Sequence, residues 1–246
     1  MSTVVTPRTV TTLLKSRQEV ADGTMAFRFD KPYGWTFTAG QFLDMTLINP
    51  AETDAEGNTR SFSIASGPDE DTLMVATRMR DTAFKRVLKT MPIGTGVKLE
   101  GPSGDLVLHE DEARPAVFLA GGIGITPFRS IVVDAAHRQL AHRLFLFYSN
   151  RRPEDAPFLG ELHALEKKNP RYALIPSMSD MAASHQPWTG ETGLIDQAML
   201  SRHVSGVVSP VYYIAGPPKM VKDLRALLVS QSVKDDDIHA EEFDGY

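Results

Sequence analysis

The chain has no cysteine. That absence excludes disulfides, thiolate nucleophiles and cysteine-ligated iron–sulfur clusters within these 246 residues. No apolar run approaches the roughly 18–20 residues that a membrane helix needs, so no membrane span is expected. The opening MSTVVTPRTV holds no apolar signal core, and the expected location is cytoplasmic. Charge of one sign is scarce. A net charge of −5 is mild and argues against nucleic acid as a main partner. The histidines are scattered without metal-ligand spacing, and His137 and His142 read as surface residues. There is no low-complexity segment. What is present is 42% hydrophobic and 23% charged, enough to bury the core of one large or two ordinary domains.

Two halves follow different rules. Residues 1–110 carry short strand-like runs at 9–20, 24–30, 41–48, 59–66, 72–80 and 96–102. Turn chemistry separates them: Asp22-Gly23, Lys31-Pro32, Glu56-Gly57-Asn58 and Gly67-Pro68. Six strands with short links predict an antiparallel barrel. One segment, 81–91, has apolar residues at 84, 87, 88 and 91, a helical spacing that fits a helix plugging or flanking the barrel. Residues 111–246 instead alternate strand and helix. Buried-type strands at 116–120, 144–148, 172–176, 211–215 and 238–243 flank helices at 127–140, 156–168, 196–203 and 218–230. That alternation predicts a parallel sheet covered on both faces. The expected class is therefore β plus α/β, with the boundary near 105–114.

Three stretches carry chemistry. RSFSIAS (60–66) starts a strand with a cation and places hydroxyls at 61, 63 and 66. Alternation turns Phe62 and Ile64 one way and Ser61, Ser63 and Ala65 the other. A solvated edge strand would show the same pattern. FLAGGIGITPFRSI (118–131) ends a strand and opens a helix. Gly121, Gly122 and Gly124 permit a sharp turn and close backbone approach, with Thr126 expected as N-cap and Pro127 at the first helical position. Exposed amides at a helix start favour an anion such as a pyrophosphate. The stretch is not the G-x-G-x-x-G fingerprint, because Phe128 stands at the last glycine's step. YYIAGPPKMV (212–221) repeats the design with Gly216-Pro217-Pro218. In a parallel sheet both turns lie at the carboxyl edge, where a mononucleotide or dinucleotide would span them.

The order of these motifs resembles the ferredoxin–NADP reductase superfamily, over essentially the whole chain. The residues that carry the resemblance are Arg60-Ser61-Phe62-Ser63, Gly121 through Pro127, Ala215 through Pro218, and Glu241-Glu242-Phe243. The resemblance implies a flavin barrel over 1–110, holding FAD, and an NAD(P)-binding domain over 111–246. It implies that Arg60 neutralises the flavin pyrophosphate, a task suited to a forked guanidinium. Ser61 belongs to the same cofactor-binding motif. Phe62 would lie against the isoalloxazine and Ser63 near its N5. The helix at 82–90 would offer its amides, Phe84 and Lys85 to the phosphates, and Thr77 and Arg78 would contact the ring or ribityl chain. Glu241 would act beside the flavin, and either Phe243 or Tyr246 would stack on it. The same tail also reads as a frayed acidic end.

For the nicotinamide nucleotide, Ser149, Asn150 and Arg151 end the second α/β strand, and Ser179 ends the third. Arg152 follows as a further partner for a 2′-phosphate. Asp180 stands where NADP users of this family commonly have arginine, which leans toward NADH over NADPH. Ala215 replaces a cysteine many members carry, with an expected effect on nicotinamide positioning. The implied activity is an NAD(P)H-dependent flavoprotein reductase. It would pass electrons to a separate acceptor protein: ferredoxin, flavodoxin or a haem or oxygenase protein. A reductase of free flavin or ferric chelates, and a flavin-binding regulatory subunit, are the alternatives.

Overall fold

Strict alternation builds the first sheet. In FLDMTL (42–47), Leu43, Met45 and Leu47 are buried while their neighbours are half exposed, so one face of the strand is core. The structure, a computed structural model, describes residues 8–243. Six antiparallel strands form this sheet: β1 (Arg8–Ala21), β2 (Thr24–Asp30), β3 (Phe42–Leu47), β4 (Thr59–Ser63), β5 (Thr72–Arg78) and β6 (Gly96–Ser103), in the order β4-β3-β6-β1-β2-β5. The long β1 serves two partners. Its first half pairs with β6 and its second with β2, with irregular register around Leu14 and Ser16. That bend curls the sheet. Its outer strands meet where the Ala65 N–H donates to the Met74 carbonyl (2.7 Å). Helix α1 (Ala83–Thr90) buries Phe84 and Leu88 against the barrel core, and Thr82 caps it by accepting from the Lys85 amide.

The second sheet is parallel. Its strands are β7 (Ala116–Gly121), β8 (Leu144–Asn150), β9 (Tyr172–Met178), β10 (Glu191–Thr192), β11 (Val211–Gly216) and β12 (Ile238–Glu242), in the order β10-β9-β8-β7-β11-β12. Every residue of β7 and β11 is buried, as expected of strands covered on both faces. Helices α2 (Ile125–Arg138) and α3 (Leu159–Glu166) pack on one face through Phe128, Ile131 and Leu162. Helices α4 (Gln197–Val204) and α5 (Pro218–Ser230) cover the other through Met199, Leu200 and Leu224. The core under α2 continues into the barrel: Ala26, Ala65, Met74 and Ala76 belong to the same cluster. No helix among the described residues is long and apolar enough to cross a membrane.

Three local expectations need correction. Thr126 is not the N-cap of α2. Gly122–Gly124 form a 3-10 turn that leads directly into the helix, so the cap falls on Gly124, and Thr126 instead donates to the Ile123 carbonyl (3.0 Å). Pro127 accordingly sits at the third helical position. His142 is buried, because its Nε2 bonds the His109 carbonyl (2.9 Å) and its ring meets the His109 ring edge-on. β10 is too short for any periodicity to announce it.

Candidate active site

The carboxyl edge of the parallel sheet faces the mouth of the barrel, and two grooves open there. The first, about 430 Å³, is lined from the barrel by Arg60–Ser63 of β4 and Thr77 and Arg78 of β5, with Thr82 and Lys85 of the α1 region beside them. From the other side come Ile123 and Thr126 of the glycine turn, and Phe243. Phe62 is nearly buried and its ring lies 5.9 Å from that of Phe84. Ser63 is 4% exposed, and its Oγ has no hydrogen-bond partner among the described residues. Buried hydroxyls are ordinarily satisfied. An unpaired one facing a groove marks where a ligand atom would bond.

Two cations of this groove, Arg60 and Lys85, already have partners. Arg60 bonds the Glu56 carboxylate (2.7 Å), three backbone carbonyls of its own loop, and covers the Phe84 ring at 5.3 Å. Asp54 lies 3.6 Å from the same guanidinium, and its other oxygen accepts from the Ala83 amide (2.9 Å), the first of α1. The carboxylate thus sits between a guanidinium and a helix start, the two groups that would hold a phosphate. Lys85 donates to the Arg78 carbonyl (2.7 Å). Burial, and then the charges of Arg80 and Arg60, push its ammonium below the usual lysine range. Ser61 donates to Asp44. Phe84 lies beneath Arg60 in the core and does not line the groove.

The second groove, about 410 Å³, is lined by Gly121, Gly122, Ser149, Asn150, Arg151, Ser179 and Pro217, with apolar walls from Leu194, Ile195 and Met220. Asn150 is 6% exposed, and neither end of its amide has a partner among the described residues. The two turns meet back to back. A Cβ on Gly124 would overlap the Ala215 carbonyl and reach within 2.7 Å of the Gly216 amide nitrogen. Gly124 has an ordinary φ of −61°, so contact rather than conformation requires glycine there.

These turns, on adjacent parallel strands beside an antiparallel barrel, have known counterparts. Residues 118–226 match the model of the oxidoreductase NAD-binding domain family. The ferredoxin NADP+ reductase of Neisseria gonorrhoeae, with bound FAD and NADP, superposes with a TM-score of 0.76 at 22% identity, covering 95% of this chain and 98% of that one. The chain has the ferredoxin–NADP reductase-like fold. An Amycolatopsis cytochrome P450 reductase shares that fold with a TM-score of 0.81 at 24% identity, over 96% of this chain and 70% of that one. Among curated proteins, the terephthalate 1,2-dioxygenase reductase component 2 of Comamonas sp. is 27% identical over 209 residues. That match covers 84% of this chain and 59% of the relative, so the chain spans about three fifths of that relative's length.

Against this reductase fold, the expected residues divide. Arg60, Ser61, Phe62, Ser63, Thr77, Arg78, Lys85, Thr126 and Phe243 line one groove. Ser149, Asn150, Arg151 and Ser179 line the other. Arg78 borders both. Glu241 lines neither: β12 still pairs with β11 there, opposite Ala215, and the carboxyl is pushed above the usual range by burial and by Asp105. The chain reaches the groove at Phe243, whose amide bonds the Gly216 carbonyl (2.9 Å). Tyr246 lies outside the described residues. Arg152 is not a groove residue. It is held by Asp155 (2.7 Å) and Asp22 (3.4 Å), bridging the two halves. Arg151 pairs with Asp180 (2.9 Å). Sequence reasoning missed Arg80, Lys219 and Met220, which line the grooves, and Asp54, which no motif marks. It also passed over Arg129, visible as a lone cation in the apolar run TPFRSIVV.

Proposed function

We propose that this chain is a FAD-dependent reductase that takes a hydride from NADH and delivers the electrons to a separate acceptor protein. Residues 1–110 would hold the flavin and residues 111–246 the nucleotide. The observation that carries this reading is the first groove: Ser63, with its buried unpaired hydroxyl, shares it with Thr126 and Ile123 of the nucleotide turn. A ring system seated there would touch both halves at once. The residues fit a flavin: apolar contact from Phe62 and Phe243, a hydroxyl donor at Ser63, and cations at Arg60 and Lys85. When bound, FAD supplies the hydride-accepting centre that no side chain of this chain provides.

The chain's own contributions are binding, orientation and exclusion of water. Ser63 would donate to the ring atom that gains charge, an oxyanion-type contact. Phe243 would cover the ring face opposite the barrel until a nicotinamide replaces it. Gly121, Gly122 and Pro217 would let the nucleotide backbone lie close, with the unpaired Asn150 amide bonding it. NADH is favoured over NADPH because Arg151 already faces Asp180, whose carboxylate would repel a 2′-phosphate. The Comamonas relative is named as an oxygenase reductase component, which supports an oxygenase-type protein as acceptor here.

The test is an anaerobic titration of FAD-reconstituted protein with NADH and NADPH in parallel. The expected outcome is retained flavin absorbance after desalting, bleached faster by NADH. Protein that stays colourless overturns the reading. A tenfold preference for NADPH overturns the nucleotide assignment and leaves the flavin assignment intact.

A further inference from the structure

The largest fully buried side chain among the described residues is a cation, Arg129, at 2% exposure. It sits on α2, one helical turn after Thr126. Its guanidinium has five N–H groups, and each has an acceptor. Nη1 donates to the Ala65 carbonyl (2.6 Å) and to Glu70 (2.9 Å). Nη2 donates to Glu70 (3.3 Å) and Glu161 (2.5 Å), and Nε to Glu161 (3.0 Å). Its face lies 5.2 Å from the Phe158 ring centre. The next residue adds a parallel link, as Ser130 Oγ donates to the Ser66 carbonyl (2.7 Å). The Glu70 carboxylate is itself held in place by the Gly67 amide (2.6 Å).

The placement matters more than the bond count. Ala65 and Ser66 lie two and three residues after Ser63. Arg129 and Ser130 lie five and six residues past Gly124, in the second turn of the helix that leaves the glycine turn. The knot therefore joins the end of the barrel's ligand-facing strand to the helix that grows out of the nucleotide turn. Its two carboxylates are not equivalent. Glu161 belongs to α3, in the same half as Arg129, whereas Glu70 belongs to the barrel. Within this knot, only the Glu70 arm and the two carbonyl bonds cross between the halves.

We infer that Arg129, acting through Glu70, is a positioning residue that fixes the separation of the two cofactors. This rests on the proposed hydride transfer between them. A misplacement of about 1 Å between reacting groups costs on the order of 10²-fold in rate. A five-bonded guanidinium two to three residues from each positioning group limits such movement. Dispersion contacts across the shared core would hold the halves together without fixing their register this closely.

Arg129→Ala would remove both arms and a buried side chain at once, so the informative variants are Glu70→Gln and Glu161→Gln. Each removes one charged arm from the same guanidinium, but only the first loosens the crossing between halves. Two measurements apply. In the flavin-free chain, amide hydrogen exchange over 64–67 should quicken at least about tenfold in Glu70→Gln and stay near wild type in Glu161→Gln. In FAD-loaded protein under anaerobic stopped flow, Glu70→Gln should slow the limiting rate of flavin reduction about 10- to 100-fold, with the nucleotide Kd unchanged. Glu161→Gln should stay within about threefold of wild type, on the same scale of displacement. Equal reduction rates in both variants, or exchange unchanged in Glu70→Gln, overturn the inference. A wild type that binds FAD but is reduced by neither nucleotide overturns the proposed function instead, while the exchange measurement still decides whether the tether exists.

Discussion

The two grooves present different kinds of group to a ligand. In the barrel groove the charged groups proposed to hold a ligand are occupied before it arrives, Arg60 by Glu56 and Asp54, the first α1 amide by Asp54 and Lys85 by a carbonyl, while the Ser63 hydroxyl has no partner among the described residues. In the other groove the cations Arg151 and Lys219 are likewise paired, with Asp180 and Asp223, and the group on offer is neutral: an Asn150 amide with no partner among the described residues. A saturated site is stable when empty, and a ligand must displace what it finds. An unsaturated site carries a desolvation cost that only a ligand removes. The paired charges of both grooves stabilise the empty fold, and the unpaired groups, a hydroxyl at Ser63 and an amide at Asn150, reserve interaction energy for binding.

The largest test of this contrast is Gly124→Ala. The added methyl has no room between the two turns, so both must part. Overpacking of this kind costs about 3 kcal/mol, and against backbone there is no rotamer to yield. Thermal unfolding should show a loss of this size, with nucleotide affinity lost alongside it. Wild-type stability would mean the turns are not in contact in solution.

On the barrel side, Arg60→Ala should weaken FAD by about 1.5–3 kcal/mol, the range for a hydrogen bond to a charged group. Asp54→Ala should act in the opposite direction and tighten FAD by about 1 kcal/mol, because a competing carboxylate is gone. Calorimetric titration of the two variants checks the signs. Weakening in both would show that Asp54 supports the site rather than competing for it. On the nucleotide side, Asn150→Ala should separate stability from affinity. Removing a buried unpaired amide should leave the empty fold as stable or more so, while NADH binding falls by about 1 kcal/mol. A variant that loses stability instead would place the amide in a satisfied internal network.

The smallest effect concerns the segment joining the halves. Burial, and the nearby charge of His142, hold the His109 imidazolium below its usual range, although the Arg114 carbonyl opposes this. The folded state thus favours neutral His109. Its contribution is complete above pH 6.5 and is lost as pH falls from there through the lowered folded value. His109→Phe should flatten the decline in Tm between pH 7 and pH 5.5. An identical decline in the variant would assign it to other groups.

Periodicity alone separated the two halves, because a period of two and a strand–helix alternation are unmistakable over a hundred residues each. Motif spacing located most groove residues for the same reason: turn glycines must follow buried strands. What was not legible depended on contacts distant in sequence. Asp54 is an ordinary loop acid until the fold sets it at the start of α1. Arg152 resembles Arg151 in sequence, yet Asp155 and Asp22 draw it away from the groove. Glu241 matched a motif, but its pairing with β11 keeps it short of the site. His142 read as a surface residue because nothing local reveals that the segment folds under its ring.

The contact between Gly124 and the Ala215–Gly216 backbone has a consequence for how such a chain changes over time. Each turn is the ceiling on the other's side-chain volume. A methyl gained at Gly124 meets main chain, and main chain cannot be trimmed by a compensating mutation. The two stretches lie about ninety residues apart in the chain, yet a change of volume in one must be accommodated by the other. A substitution at Arg151, Asp180, Leu194 or Lys219, by contrast, can exchange a side chain without moving that main chain.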